Sequence, residues 1–204
     1  MISISVSNLT KKYNRKTVLK NIEFSHSTGI LGISGSNGSG KSTLMKCLAG
    51  LMRPNSGNID WKFNDNILSR TDLKCHIGFA APYISLYEDL TVAENLQFIS
   101  EVSHQNFTQT QLRELLARTE TENLKDKLYK SLSTGQQQRV KLASSLIRNP
   151  KVLFWDEPGS NLDSDGHLLV QNLLAEQKEN GCLIFLASND PNEIALCDEV
   201  IRLD

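Results

Sequence analysis

The densest chemical signal in the chain is Gly35-Ser36-Asn37-Gly38-Ser39-Gly40-Lys41-Ser42, in which glycines stand where a backbone must curl and a lysine and a hydroxyl follow at once. Such a loop turns successive N–H groups inward onto an anion, and a helix starting behind it adds its positive end. Lys41 is then able to reach the outer phosphates of a nucleotide as a point charge, while the Ser42 hydroxyl suits a Mg²⁺ that bridges them. Thr43 extends the polar rim of the loop. Further on, Val152-Leu-Phe-Trp-Asp156-Glu157 runs an apolar stretch into two carboxylates. That composition delivers both acids to the carboxyl edge of a sheet, where open α/β sheets bind ligands. Asp156 is expected to orient the Mg²⁺ and Glu157 to polarise an attacking water as general base. Lys41 and Glu157 are therefore the expected catalytic residues, with Ser42 and Asp156 at the metal.

These groups need particular elements to hold them. The short apolar run Ile30 to Ser34 reads as a strand entering the glycine loop, and Leu44, Leu48 and Leu51 read as one face of the helix leaving it. Ahead of them, Ile2, Ile4 and Val6 alternate with serines, the pattern of a half-buried strand, and Val18 to Phe24 offers a second. Pro54 to Gly57 marks a turn, after which Ile59 to Phe63 and Cys75 to Ala80 supply further strands. From Glu88 to Asn149 apolar residues recur at three and four positions with no convincing strand, so this stretch is expected to be a helical insertion. Strands resume at Val152 to Trp155, Leu183 to Ala187 and Val200 to Leu203, with a helix at about Gly166 to Gln177. The expected fold is α/β, a P-loop NTPase core with a mixed sheet, an N-terminal antiparallel β subdomain and an inserted α-helical subdomain. Residues 1–87 and 150–204 would form the core and 88–149 the helical part of a single domain.

Length and composition agree with this. The chain has 204 residues, 39% hydrophobic and 22% charged, which suits one globular unit and neither a disordered nor a collagen-like chain. Twenty-two basic against 23 acidic residues leave a net charge of -1, so the usual electrostatic reason to propose a nucleic-acid binder is missing, and any anion must be gripped locally. No apolar run is long enough to span a bilayer, and the first residues lack the basic start and apolar core of a secretory signal, so a cytoplasmic protein is expected. Cys47, Cys75, Cys182 and Cys197 show no metal or redox spacing and read as reduced thiols beside apolar residues. His26, His76, His104 and His167 show no metal spacing either.

Between the two acid and glycine motifs lies Leu132-Ser133-Thr134-Gly135-Gln136, and just after the acids Ser160-Asn-Leu-Asp163. With these, nearly the whole chain from Leu9 onward resembles the ATPase subunits of ABC transporters: the first looks like the family's LSGGQ signature and the second like its D-loop. The resemblance implies ATP as the nucleotide and a second ATPase subunit, identical or not. Ser133, Gly135 and Gln136 would then close onto the γ-phosphate held by the partner's loop. It also implies a separate transmembrane permease, met near the aromatic segment Tyr83 to Leu90, whose other reading is packing of the helical insertion against the core, and a place on the cytoplasmic face of the inner membrane. Tyr13 stands about where the family stacks an aromatic on adenine; packing within the β subdomain is its other reading. Trp155 is expected to be core.

Two positions depart from the family. Pro82 stands where a glutamine normally contacts Mg²⁺ and water, and Asn189 stands in Ser188-Asn189-Asp190 where the family has a histidine. Asn189 is able to hydrogen-bond a γ-phosphate but takes up no proton. Tyr83 or Ser85 is a candidate for the missing contact. The leading function is thus an ATPase driving a permease; a slow nucleotide-dependent switch is the alternative, and a soluble repair or translation ATPase fits poorly. The short chain also resembles haem-export subunits of cytochrome c maturation.

Overall fold

A computed structural model describes residues 1–103 and 107–203; His104 lies outside the described residues. In chain order the elements are β1 (Ile2–Tyr13), β2 (Lys16–His26), β3 (Ile30–Gly35), α1 (Lys41–Leu48), β4 (Ser56–Phe63), β5 (Asn66–Ile67), α2 (Arg70–Lys74) and β6 (Ile77–Ala80). There follow α3 (Val92–Val102), α4 (Gln109–Arg118), α5 (Thr134–Leu146), β7 (Val152–Asp156), α6 (Ser164–Glu179), β8 (Leu183–Ala187), α7 (Pro191–Ile194) and β9 (Glu199–Leu203).

Strand pairing divides between two sheets. The N-terminal sheet is antiparallel, in the order β2-β1-β4-β5, and the central sheet runs β6-β7-β8-β3-β9 with every pair parallel. The mixed pairing anticipated for the core is thus distributed over two layers. Parallel strands need both faces covered, which explains why β7 and β8 are apolar and buried at every position instead of alternating. Their side chains do alternate in what they touch. Val152, Phe154, Leu183 and Phe185 join a core shared with α1 and the antiparallel sheet. Leu153, Trp155, Ile184 and Leu186 join a second core filled by α3, α4, α5 and α6. The parallel sheet is therefore the partition between two hydrophobic cores, and each fully buried leucine or phenylalanine in it contributes about 1.5–3 kcal/mol.

The first core is aromatic at its centre: Phe154 stacks on Phe185 at 4.8 Å, and Trp61 from β4 meets Phe185 edge-on at 5.8 Å while its Nε1 donates to the Leu48 carbonyl at 3.0 Å. The antiparallel sheet is tied in this way to the helix behind the glycine loop. The second core closes over helices with a common start. Thr91 with Glu94, Thr108 with Gln111 and Ser133 with Gln136 each form a reciprocal capping box, which satisfies N–H groups that a helix start leaves free.

Some expectations shift. Leu51 does not extend α1, because the helix ends at Leu48, Gly50 takes φ 70, and Leu51 is exposed. Cys75 belongs to the end of α2 rather than to β6 and its thiol is exposed; Cys47 and Cys182 are buried, Cys197 is half-buried, and all are free. The short α2, α7 and β5 carry no periodic signal. Among the described residues no helix is long and apolar enough to cross a membrane.

Candidate nucleotide-binding and catalytic site

Four loops meet at the carboxyl edge of the parallel sheet. β3 delivers Gly35 to Gly40, β7 delivers Asp156 and Glu157, β8 between them delivers Asn189, and β6 delivers Pro82 and Tyr83. Two bonds lock the loops: Ser188 N–H donates to the Ile33 carbonyl at 3.2 Å, and Glu157 N–H to the Ala187 carbonyl at 2.8 Å.

The glycine loop enters α1 through Gly40 at φ 108, a left-handed conformation that an L side chain resists; a Cβ there would also meet Val18 and Leu19 at 2.9 Å. Gly38 takes φ 85 at the exposed tip with nothing within 4 Å, so only the backbone dictates glycine there. No side chain caps α1. Its first N–H groups are left for an anion.

Lys41 is buried, and its Nζ donates to the Gly35 carbonyl at 2.8 Å, the Ser36 carbonyl at 3.4 Å and Asn189 Oδ1 at 2.6 Å, with Glu157 Oε1 at 3.6 Å. Asn189 Nδ2 in turn donates to Asn37 Oδ1 at 2.5 Å. The expected phosphate ligand is thus folded onto its own loop by acceptors that phosphate oxygens would replace. Tyr13, Gly38, Lys41, Ser42, Thr43 and Glu157 line one cleft of about 400 Å³. The Tyr13 ring is 44% exposed, anchored by its hydroxyl on Met52 Sδ at 3.1 Å and leaving a face available.

Asp156 is 1% exposed, and neither carboxylate oxygen has a hydrogen-bond partner of full geometry among the described residues. Burial pushes its pKa up, while the Ser42 hydroxyl, Lys41, Lys46 and the Tyr83 hydroxyl pull it back. A buried, unsatisfied carboxylate beside a serine hydroxyl is a donor set that fits Mg²⁺, a hard cation taking oxygen ligands. Glu157 occupies the left-handed region at φ 50, a strained conformation for a non-glycine residue. Gln138 helps hold it there: buried on α5, its Nε2 donates to the Pro158 carbonyl at 2.9 Å and reaches the Glu157 carbonyl at 3.5 Å.

Ser133, Gly135 and Gln136 do not join this cleft. They line a second one of about 470 Å³ together with Arg139, Asn161 and Asp163, and the two clefts share no residue. Arg139 pairs with Glu120 and, at 3.2 Å, with Asp163. Trp155 is fully buried, its Nε1 donating to Ser145 Oγ at 3.0 Å, as expected of core. No group of three or more His, Cys, Asp or Glu capable of holding a metal occurs among the described residues.

The sequence reading passes over two residues. Lys46 lies one helical turn after Ser42, so helical spacing was its available signal. Gln138 lies one turn after Gly135, but its partners are distant in sequence and no local pattern announces them.

A glycine loop between a parallel strand and a helix, with a neighbouring strand ending in paired acids, defines a P-loop nucleotide hydrolase. The family model of the ABC transporter matches residues 19–160, and the chain belongs to that family. Bacillus subtilis YybJ, an ABC transporter ATP-binding protein, is 30% identical over 203 residues, 98% of this chain and 92% of YybJ. The lantibiotic transport ATP-binding protein SrtF of Streptococcus pyogenes is 31% identical over 192 residues, 94% of this chain and 82% of its own length. A dimeric ATP-binding cassette solved in a post-hydrolysis state with ADP and Pi superposes with a TM-score of 0.86 at 26% identity, covering 98% of this chain and 94% of that one. The chain is an ATP-binding subunit of the ABC transporter class and an ATPase.

Proposed function

We propose that this subunit dimerises around ATP and powers a separate transmembrane permease from the cytoplasmic face of the membrane. The observation that carries the proposal is the separation of the two clefts: Ser133, Gly135 and Gln136 share no residue with the cleft of Lys41, so they serve a nucleotide held by a second ATPase subunit. The dimeric cassette with ADP and Pi supports this reading. Tyr87 and Phe98, exposed and packed edge-on at 5.1 Å beyond the Tyr83 loop, offer the permease an aromatic surface.

In the nucleotide cleft the Tyr13 ring stacks on adenine. The N–H groups of Gly35, Ser36, Asn37, Gly38, Ser39, Gly40, Lys41, Ser42 and Thr43 supply the phosphate cradle, and Lys41 exchanges its loop carbonyls for phosphate oxygens. Ser42 and Asp156 hold Mg²⁺, which when bound neutralises charge on the β- and γ-phosphates. Glu157 accepts the proton of the attacking water. Asn189 hydrogen-bonds the γ-phosphate and, when that is absent, returns to Lys41 and Asn37. The haem-export resemblance concerns cargo, a property of the permease in this reading.

A slower, switch-like ATPase is the second reading, favoured by Pro82 and by the commitment of Asn189 to Lys41. Phosphate release with Mg-ATP, measured for wild type and Glu157→Gln across protein concentration, tests both. Glu157-dependent turnover rising faster than linearly with protein supports the dimeric ATPase. Turnover that ignores Glu157 removes its role as base.

A further inference from the structure

One peptide group just beyond Glu157 is held at both of its ends. Its carbonyl, that of Pro158, accepts from Gln138 Nε2 on α5 at 2.9 Å, and its N–H, that of Gly159, donates to Glu193 Oε1 on α7 at 2.9 Å. Both side chains are buried, Gln138 at 2% and Glu193 at 4% exposure. Gly159 permits the approach, because a Cβ there would collide with Glu193 Oε1 and with the His167 ring. α7 starts at Asp190, whose Oδ1 accepts from Asn192 N–H at 2.8 Å, so the segment that presents Asn189 also places Glu193. Turning the peptide would break a buried hydrogen bond at either end and strand a polar group away from water. Glu157 depends on that peptide. Its N–H is bound to the Ala187 carbonyl at 2.8 Å and its carbonyl accepts from Ser160 N–H at 3.1 Å, yet it sits at φ 50, from which a non-glycine residue gains by relaxing. Relaxation needs the chain beyond it to rotate. The Pro158 ring removes one of those rotations, and the grip on the next peptide removes another.

We infer that Glu193 is a positioning residue for Glu157, closing with Gln138 a clamp on the Pro158–Gly159 peptide that keeps the Glu157 carboxylate aimed at the attacking water. This rests on the reading of Glu157 as the general base. What the clamp needs from Glu193 is an acceptor for the Gly159 N–H, and from Gln138 a donor to the Pro158 carbonyl. Neither residue lines the nucleotide cleft, so the clamp acts on turnover and not on binding.

The test is steady-state phosphate release with Mg-ATP, giving kcat and KM, beside the affinity for a fluorescent, non-hydrolysable ATP analogue and a denaturant unfolding curve that shows each variant to be folded. Glu193→Met removes the acceptor and Gln138→Met the donor, and both keep nearly the original volume. Each is expected to lower kcat about tenfold, within the roughly hundredfold that a misplacement of about 1 Å can cost, with KM and analogue affinity unchanged. Glu193→Gln keeps an Oε1 for the Gly159 N–H and recovers most of the loss. A wild-type kcat in either methionine variant overturns the proposal, as does affinity falling in step with kcat, which is a general loss of packing, or Glu193→Gln being no faster than Glu193→Met. Should Glu193→Met fail to fold, Gln138→Met decides by the same readings, because it releases the other end of the same peptide. Glu157→Gln separates the two levels of argument. If it is slow while both methionine variants keep the wild-type kcat, only the positioning assignment falls; if it turns over like wild type, the base reading falls and takes the positioning with it.

Discussion

The two helix starts assigned to phosphate in the proposed function are built in opposite ways. α1 begins at a left-handed glycine with no side-chain cap, so its N–H groups face the nucleotide cleft unpaired. α5 begins at Ser133, whose hydroxyl accepts from Gln136 N–H while Gln136 Oε1 accepts from Ser133 N–H. The first start is incomplete without an anion; the second already satisfies part of its own need and keeps fewer donors for a ligand. An open terminus suits a site that grips its nucleotide continuously. A self-capped terminus suits one that engages a nucleotide only when a second subunit brings it close.

Experiments able to break this contrast begin with the largest expected effect. Glu157→Gln is expected to lower turnover by about 10²- to 10⁴-fold while ATP binding persists and an ATP-bound dimer accumulates, read by phosphate release and light scattering. Lys41→Ala removes charge-assisted contacts and should weaken nucleotide binding by about a hundredfold; unchanged affinity in a binding titration would contradict the phosphate-loop assignment. Ser133→Ala should leave binding at the chain's own cleft intact and still depress turnover, with a stability cost of about 1 kcal/mol from the lost cap, visible in denaturant unfolding. Mixing Lys41→Ala with Ser133→Ala chains sharpens the point, since each mixed dimer regains one intact composite site. Failure of the mixture to recover any turnover over the separate variants would place the signature on its own chain's nucleotide. The smallest expected effect is a few-fold rise in turnover for Asn189→His, measured as phosphate release, because a proton-accepting ring then stands at the γ-phosphate.

Legibility in the sequence followed the range of the interactions. The open start could be read directly, since glycine spacing, Lys41 and Ser42 encode the whole local geometry, and β7 announces itself as an apolar run ending in acids. The capped start was equally visible through Ser133 and Gln136. Short α2, α7 and β5 were not, because tertiary contacts sustain them and no period has room to develop. Leu51 continued a helical spacing that Gly50 terminates. The Lys46 ammonium over the Tyr83 ring joins residues far apart in sequence, so no local pattern announced it.

Gln138 joins the two helix starts' regions in a way that neither motif suggests. Its amide is rooted in the signature helix and grips the backbone at Pro158, next to the strained Glu157. The helical part of the molecule consequently has a handle on the proposed general base: a tilt of α5 relative to the sheet would pull on the peptide that aims the Glu157 carboxylate. In the proposed dimeric mechanism, this buried amide would gear turnover to the motion of the helical part.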